Sequence, residues 1–206
     1  MNRLDEDAIR SSFAGPGREA AAAATRRLAE RASAANLVDV AYATYDSPAG
    51  TGAVAATKQG VVAVALPNRP LEDLLEELAR GISPRVLELP ARLDRARREL
   101  DEYFSGKRRE FDLPLDWRLV RPGFGSRVLR ATAKLPFGVT STYAQIAAQA
   151  GNPRAYRAAG SALGRNPIPL IVPCHRVLRA GGVIGNYGGG PALKERLLRL
   201  EGALGD

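Results

Sequence analysis

Residues 143–163 read Tyr143-Ala-Gln-Ile-Ala-Ala-Gln-Ala-Gly151-Asn-Pro-Arg-Ala-Tyr-Arg157-Ala-Ala-Gly160-Ser-Ala-Leu163. The spacing predicts two short helices. Gly151 closes the first, Asn152 is a good N-cap for the second, and Pro153 suits the first helical position, so the second helix is expected over 154–163. Two helices joined by so tight a glycine-containing turn fit a helix-turn-helix, and on the turn alone they fit an αα-hairpin in a core equally well. The second helix tips the balance. Small residues dominate it, and Arg154 and Arg157 are spaced i, i+3. Such a helix suits a surface laid against DNA better than a buried interior.

Downstream runs Asn166-Pro-Ile-Pro-Leu-Ile-Val-Pro-Cys174-His175-Arg176-Val177. The chain has one cysteine and one histidine, and here they are adjacent. An unperturbed thiol has a pKa of about 8.5 and needs a base to become a nucleophile at neutral pH. In isolation the pair reads first as a small buried hydrophobe beside a satisfied polar group, and the neighbouring residues overturn that reading. The three prolines predict a stiff, extended segment. Gly181-Gly182 marks a turn, and Gly185-Asn-Tyr187-Gly-Gly-Gly190 a glycine-rich loop without the spacing of a phosphate loop. A helix from Pro191 to Leu200 and then Glu201 follow.

Upstream, the pattern predicts an α+β chain: a small N-terminal α/β unit with an antiparallel sheet, followed by a helical, winged helix-turn-helix-like unit. Residues 1–36 form an Ala/Arg-rich extension with a helix expected over 19–35. Short β-prone runs between Val38 and Leu66, broken by Gly, Pro and Asp, predict the sheet. Helices are expected from Pro70 to near Gly81 and from Pro90 to Phe104, the second with Leu93, Ala96, Leu100 and Phe104 on one stripe. Residues 112–123 read as a linker. A helix over 124–135 carries Val128, Leu129 and Ala133 inward. The expected units are 1–36, 37–115 and 116–206.

Composition narrows the chemistry. The net charge of +8 points toward a polyanion. One cysteine rules out an intrachain disulfide and fits a reducing compartment, and one cysteine with one histidine cannot supply a four-ligand Cys/His zinc site. No cofactor or metal is expected. No apolar run approaches membrane-spanning length and the N-terminus lacks a signal-peptide core, so the expected location is the cytoplasm.

With these elements in order, Pro173-Cys-His-Arg-Val177 resembles the active-site signature of the O6-alkylguanine-DNA alkyltransferases. Tyr143, the Gly151-Asn-Pro turn, Arg157, Asn166, the Gly185-Asn-Tyr-Gly-Gly loop and Glu201 accompany it. The resemblance is strong over about 123–204 and extends weakly back to Leu100-Asp-Glu-Tyr-Phe-Ser-Gly. It implies DNA repair by single-turnover transfer of an alkyl group from guanine O6 to Cys174, with the nucleotide flipped out of the duplex. O4-alkylthymine stays open as a further substrate. His175 would take the thiol proton through a water, and Glu201 would orient His175. Asn166 would hold the active-site turn, and Tyr143 would donate to guanine N3. Arg157 would fill the gap left by the base. The Cys174 carbonyl and the Val177 amide would read the guanine edge. Tyr187 would line the pocket, with a loop amide at Gly188 or Gly189 near O6. Gly160 and Arg154 would lie on the helix facing the minor groove. The implied partner is double-stranded DNA bound by a monomer, with cooperative binding left open.

Three departures stand out. Gly188 replaces a serine found in some members, Gly164-Arg165 alters the run before Asn166, and residues 1–36 have no counterpart. Three other readings compete. A lesion-recognising relative without transfer would lack Cys174. A cysteine hydrolase would need direct proton exchange between neighbours that an extended strand points apart. A plain DNA-binding regulator would leave Cys174, Asn166 and Glu201 without roles.

Overall fold

A computed structural model describes residues 16–204. It begins with helix α1 (Pro16–Ala34), matching the helix expected in the extension. Three strands follow, β1 (Val40–Ser47), β2 (Gly50–Thr57) and β3 (Gly60–Ala65). They pair antiparallel, with a register shift at Ala55/Ala56. Helix α2 (Leu71–Gly81) then carries the chain across to β4 (Val86–Glu88). Here the expectation of a purely antiparallel sheet needs correcting: the order is β3-β2-β1-β4, and β4 lies parallel to β1. A strand this short shows no alternation to read, and its partner is far away in sequence.

Alternation sends the strand residues to two faces. Val40, Ala53, Ala55 and Val62 pack with Leu74 and Leu78 of α2. Ala41, Ala43, Tyr45, Val54 and Val64 face helix α3 (Pro90–Phe104), in a core that runs on into the second half of the chain. Leu93, Ala96 and Leu100 of the expected stripe are buried, and so are Glu99 and Tyr103. Residues 114–116 do more than link. Val61 N donates to Pro114 O and Asp116 N to Val61 O, while the buried Asp116 carboxylate accepts from Thr57 Oγ1.

The second half packs helices α4 (Phe124–Thr132), α5 (Tyr143–Gln149) and α6 (Tyr156–Leu163) around Val128, Leu129, Ile146, Ala147, Ala159 and Ala162. Thr142 caps α5 in a reciprocal capping box with Gln145. Two sequence readings are corrected here. Helix α4 ends at Thr132, leaving Ala133 half-buried. Helix α6 starts at Tyr156 without a side-chain cap, because Ala155 N closes a turn on Asn152 O at 3.0 Å. Arg154 therefore sits in that turn and does not share the helix with Arg157. Beyond α6 come the 3-10 turn Cys174–Arg176, a two-residue strand β6 (Val177–Leu178) and helix α7 (Gly190–Leu200). Strand β6 pairs parallel with β5 (Ser141–Thr142). That pairing sets the 3-10 turn beside the start of α5.

Leu100 is fully buried where α3 meets the sheet. Leu100→Ala is expected to destabilise the protein by about 2–5 kcal/mol, the usual range for such a truncation. Urea unfolding measures this.

Candidate active site

The proline-rich run is not extended, contrary to the sequence reading. It folds into a compact turn that the Asn166 side chain closes. Asn166 Oδ1 accepts from Ile168 N at 3.1 Å, and Asn166 Nδ2 donates to Val172 O at 2.8 Å. Val172 N donates to Ile168 O, and Val64 N of β3 ties Pro167 O to the sheet. Inside this turn Leu170 has φ of 72°, a region that non-glycine residues seldom occupy. The surrounding bonds hold it there. Asn166 Nδ2 also lies 3.2 Å from Cys174 Sγ, so the amide that shapes the turn points at the thiol.

Cys174 opens onto a cavity of about 480 Å³ that Tyr143, Arg157, Gly160, Tyr187 and Gly188 also line. Six of the twelve residues singled out from the sequence thus meet at one cavity. Sequence reasoning missed Tyr156, Arg179 and Asn186 on the same wall. Tyr187 turns its hydroxyl inward, where it has no hydrogen-bond partner among the described residues. A Cβ at Gly188 would meet nothing within 4 Å, so a side chain fits there. Gly189 instead packs behind the loop, where a Cβ would come within 2.5 Å of Leu193 Cδ2. Arg154 is exposed and does not line the cavity. Val177 N donates to Cys174 O, so the two backbone groups expected to read a guanine edge are paired with each other. The Val177 carbonyl accepts from Lys194 Nζ at 2.6 Å.

Behind the thiol, His175 Nε2 lies 2.8 Å from Glu201 Oε1, both side chains fully buried. Arg176 Nε reaches Glu201 Oε2 at 2.7 Å and Arg176 Nη2 reaches Oε1 at 2.9 Å. Tyr103 OH donates to Oε1 at 2.7 Å, and Gly138 N to Oε2 at 3.3 Å. Burial pushes the Glu201 carboxyl up, but the bonds from His175 and Arg176 outweigh it and hold the group at about 2. An ionised carboxylate only accepts, so the His175 proton is assigned to Nε2. His175 Nδ1, the ring nitrogen left as a base, has no partner among the described residues. Burial lowers the His175 pKa against the opposing pull of Glu201, which keeps the ring neutral and ready to take a proton. Burial raises the Cys174 thiol, against the Asn166 bond and the Lys194 charge, so the resting thiol is protonated. Lys194 is fully buried, and burial lowers it to about 8. Arg176 sits within the motif quoted from the sequence and Tyr103 within the weaker upstream resemblance, but only folding shows that both hold Glu201.

Among the described residues, no group of three or more His, Cys, Asp and Glu side chains stands ready to hold a metal. No helix there is long and apolar enough to cross a membrane.

Comparison with known proteins agrees with this geometry. Residues 40–117 match the ribonuclease-like domain of 6-O-methylguanine DNA methyltransferase, and residues 123–203 match its DNA binding domain. Helix α1 precedes both matches. The methylated-DNA--protein-cysteine methyltransferase of Mycobacterium bovis is 41% identical over 160 residues, covering 78% of this chain and 91% of that protein. The Methanosarcina barkeri protein of the same name is 47% identical over 108 residues, covering 52% of this chain and 66% of its own. The crystal structure of Mycobacterium tuberculosis O6-methylguanine methyltransferase superposes with a TM-score of 0.68 at 36% identity, covering 81% of this chain and 95% of that one. A Mycobacterium tuberculosis OGT structure in complex with DNA gives 0.65 at 39% identity, covering 78% and 92%.

The pKa pattern predicts acid lability in two stages. His175 and Glu201 both have folded pKa values below their ordinary ones, so each stabilises the fold above its unfolded pKa and loses that contribution as pH falls. The His175 part starts to go below about 6.5. The Glu201 part, roughly 3 kcal/mol, goes between about 4.5 and 2. Urea midpoints measured from pH 7 to 2 should fall in both ranges, and Glu201→Gln should lack the lower stage.

Proposed function

The chain belongs to the 6-O-methylguanine DNA methyltransferase family, and from that membership we propose how its own residues carry the transfer. The reaction is direct reversal of damage in DNA. The alkyl group on guanine O6 passes to the protein's cysteine in one turnover. We assign Cys174 as the acceptor. Its sulfur forms a bond to the alkyl carbon as the carbon–O6 bond breaks, and the bonding electrons leave with guanine. The thiol proton goes through a water to His175 Nδ1. Glu201 holds the opposite ring nitrogen and balances the imidazolium that results.

The observation that carries this reading is the buried chain from Glu201 Oε1 to His175 Nε2, ending in an Nδ1 that has no partner among the described residues and lies next in sequence to the buried thiol. A base inside the protein also answers why a thiol raised by burial reacts at all. The compact 3-10 turn removes the extended-strand argument against direct Cys174–His175 exchange. The family membership now stands against the hydrolase reading.

The remaining roles follow from placement. Guanine flips into the cavity because O6 is out of reach inside the stack. Tyr143, at the first position of α5 on the cavity wall, donates to N3 of the leaving base. Arg157 is exposed on α6, its guanidinium 5.4 Å from the Tyr156 ring centroid, and enters the duplex in place of the flipped base. Gly160 keeps that helix flat, and Arg154 contacts backbone phosphate from the preceding turn. Tyr187 and the Gly188 amide line the guanine site, with Gly189 letting the loop close on Leu66 and Leu193. Base-edge reading falls to the second lone pair of the Cys174 carbonyl, because the Val177 amide is engaged. Residues 37–115 form the supporting unit and 116–206 the DNA-binding and transferring unit. We further place the protein in the cytoplasm as a monomer, where its single thiol stays reduced.

Intact mass after incubation with a duplex containing one O6-methylguanine tests the assignment. The expected gain is one methyl group per molecule, mapped to Cys174. Cys174→Ala should show no gain and retain lesion binding, and lost binding would overturn the role given to Cys174. Arg157→Ala should slow transfer from duplex by about 10–100-fold and change transfer from the free base far less. This ratio reports base extrusion, and single-turnover quench kinetics on both substrates measures it.

A further inference from the structure

Helix α3 belongs to the sheet-bearing half, yet its last turn reaches the transfer site. Tyr103 is fully buried. Its ring is held against Phe104, Phe111 and Phe137 at centroid distances of 5.4, 5.3 and 6.4 Å. Its hydroxyl donates to Glu201 Oε1 at 2.7 Å and lies 3.5 Å from His175 Nε2. Resting on the roles given above to Cys174 and His175, we propose that Tyr103 is a positioning residue for alkyl transfer. Its hydroxyl fixes Glu201 Oε1 before His175 Nε2 and so keeps the imidazole proton on Nε2, leaving Nδ1 as the base.

Oε1 is the carboxylate oxygen that faces the imidazole, and it accepts from three donors, His175, Arg176 and Tyr103. Arg176 grips both oxygens and sets the carboxylate plane. Tyr103 adds a donor from a different element, so Oε1 is pinned from two directions. A donor on Oε1 also withdraws charge from it, which makes the carboxylate a weaker base and leaves the shared proton on His175. The phenol is suited to this task. Burial first, and then the Glu201 charge, push its ionisation far above neutral pH, so it stays a donor. The imidazole is otherwise faced by Glu201 and Lys194 from α7 and its end, Arg176 from the 3-10 turn, and Tyr187 from the glycine loop. Tyr103 alone in this set comes from the N-terminal half.

Removing the hydroxyl returns charge density to Oε1. That favours the imidazolium, so the His175 pKa rises from its lowered value. Transfer then loses both a fixed base and part of its neutral-base population at low pH.

The test compares wild type with Tyr103→Phe, which keeps the ring packing. Both are prepared without a histidine tag, so that His175, the chain's single histidine, gives the imidazole nitrogen signals alone. One measurement is single-turnover transfer from an O6-methylguanine duplex against pH. The other is ¹⁵N NMR titration of His175 in DNA-free protein. The expected result is transfer slowed about tenfold, the scale on which outer hydrogen bonds to an imidazole act. The acid limb should move to higher pH, with a raised His175 midpoint and unchanged lesion affinity. Unchanged rate and unchanged imidazole signals would overturn the proposal. So would a rate loss uniform across pH with unchanged imidazole signals, which marks a merely structural role. A wild-type His175 carrying its neutral proton on Nδ1 would overturn it without any variant. A wild type that transfers nothing would defeat the functional reading instead, and the NMR comparison would still decide the role of Tyr103.

Discussion

The Glu201 carboxylate sits where α3, the Gly138 turn, the 3-10 turn and the end of α7 meet, and it accepts hydrogen bonds from Tyr103, Gly138, His175 and Arg176. Burying a charge this completely is costly unless every lone pair is answered, and here each oxygen has at least two donors. The consequence is chemical as well as structural. A carboxylate surrounded by donors has to be ionised. An ionised carboxylate fixes the Nε2–H tautomer of His175, and that tautomer defines Nδ1 as the base. One group therefore fastens four segments together and sets the protonation pattern of the site.

The sheet-bearing half acts as a buttress. Besides Tyr103, Val64 N holds Pro167 O in the strained turn, and Asn68 Nδ2 donates to Gly188 O of the glycine loop at 2.8 Å. Arg196 of α7 reaches back to Pro48 O. These contacts fall on the Asn166 turn, the glycine loop and the helix that ends in Glu201, the three segments that surround Cys174. A backbone held at φ of 72° at Leu170 survives only where neighbours over-determine it, and two of those neighbours are Asn166 and β3.

Local signals made much of this legible. The α3 stripe, the three β-prone runs, the helix pair around Gly151 and the motif around Cys174 all declare themselves within a few residues. What the sequence hid depends on partners far along the chain. Strand β4 is three residues long and exists through pairing with β1. Prolines 167, 169 and 173 suggested extension, but one asparagine side chain folds the segment back on itself. Asn152 and Pro153 looked like a helix start, and a turn closed on the Asn152 carbonyl took that place. Tyr103 and Glu201 are 98 residues apart, and no periodicity relates them.

Charge accounting links the site to a single turnover. The buried cluster holds Arg176 and Lys194 against Glu201, while the resting thiol is neutral. Among the described residues Lys194 has no carboxylate partner, and its ammonium donates to the neutral Val177 carbonyl. Cations without a counter-charge in a low-dielectric site favour an anion forming beside them. The thiolate is that anion, and Lys194 and Cys174 act on each other accordingly: the cation lowers the thiol pKa and the thiolate raises that of the lysine. Alkyl transfer consumes the thiolate. The thioether carries no charge, offers His175 no proton, and gives Lys194 nothing to balance. The arrangement that favours forming a thiolate thus has no hold on the product, and with one cysteine in the chain there is no second thiol to take the group onward.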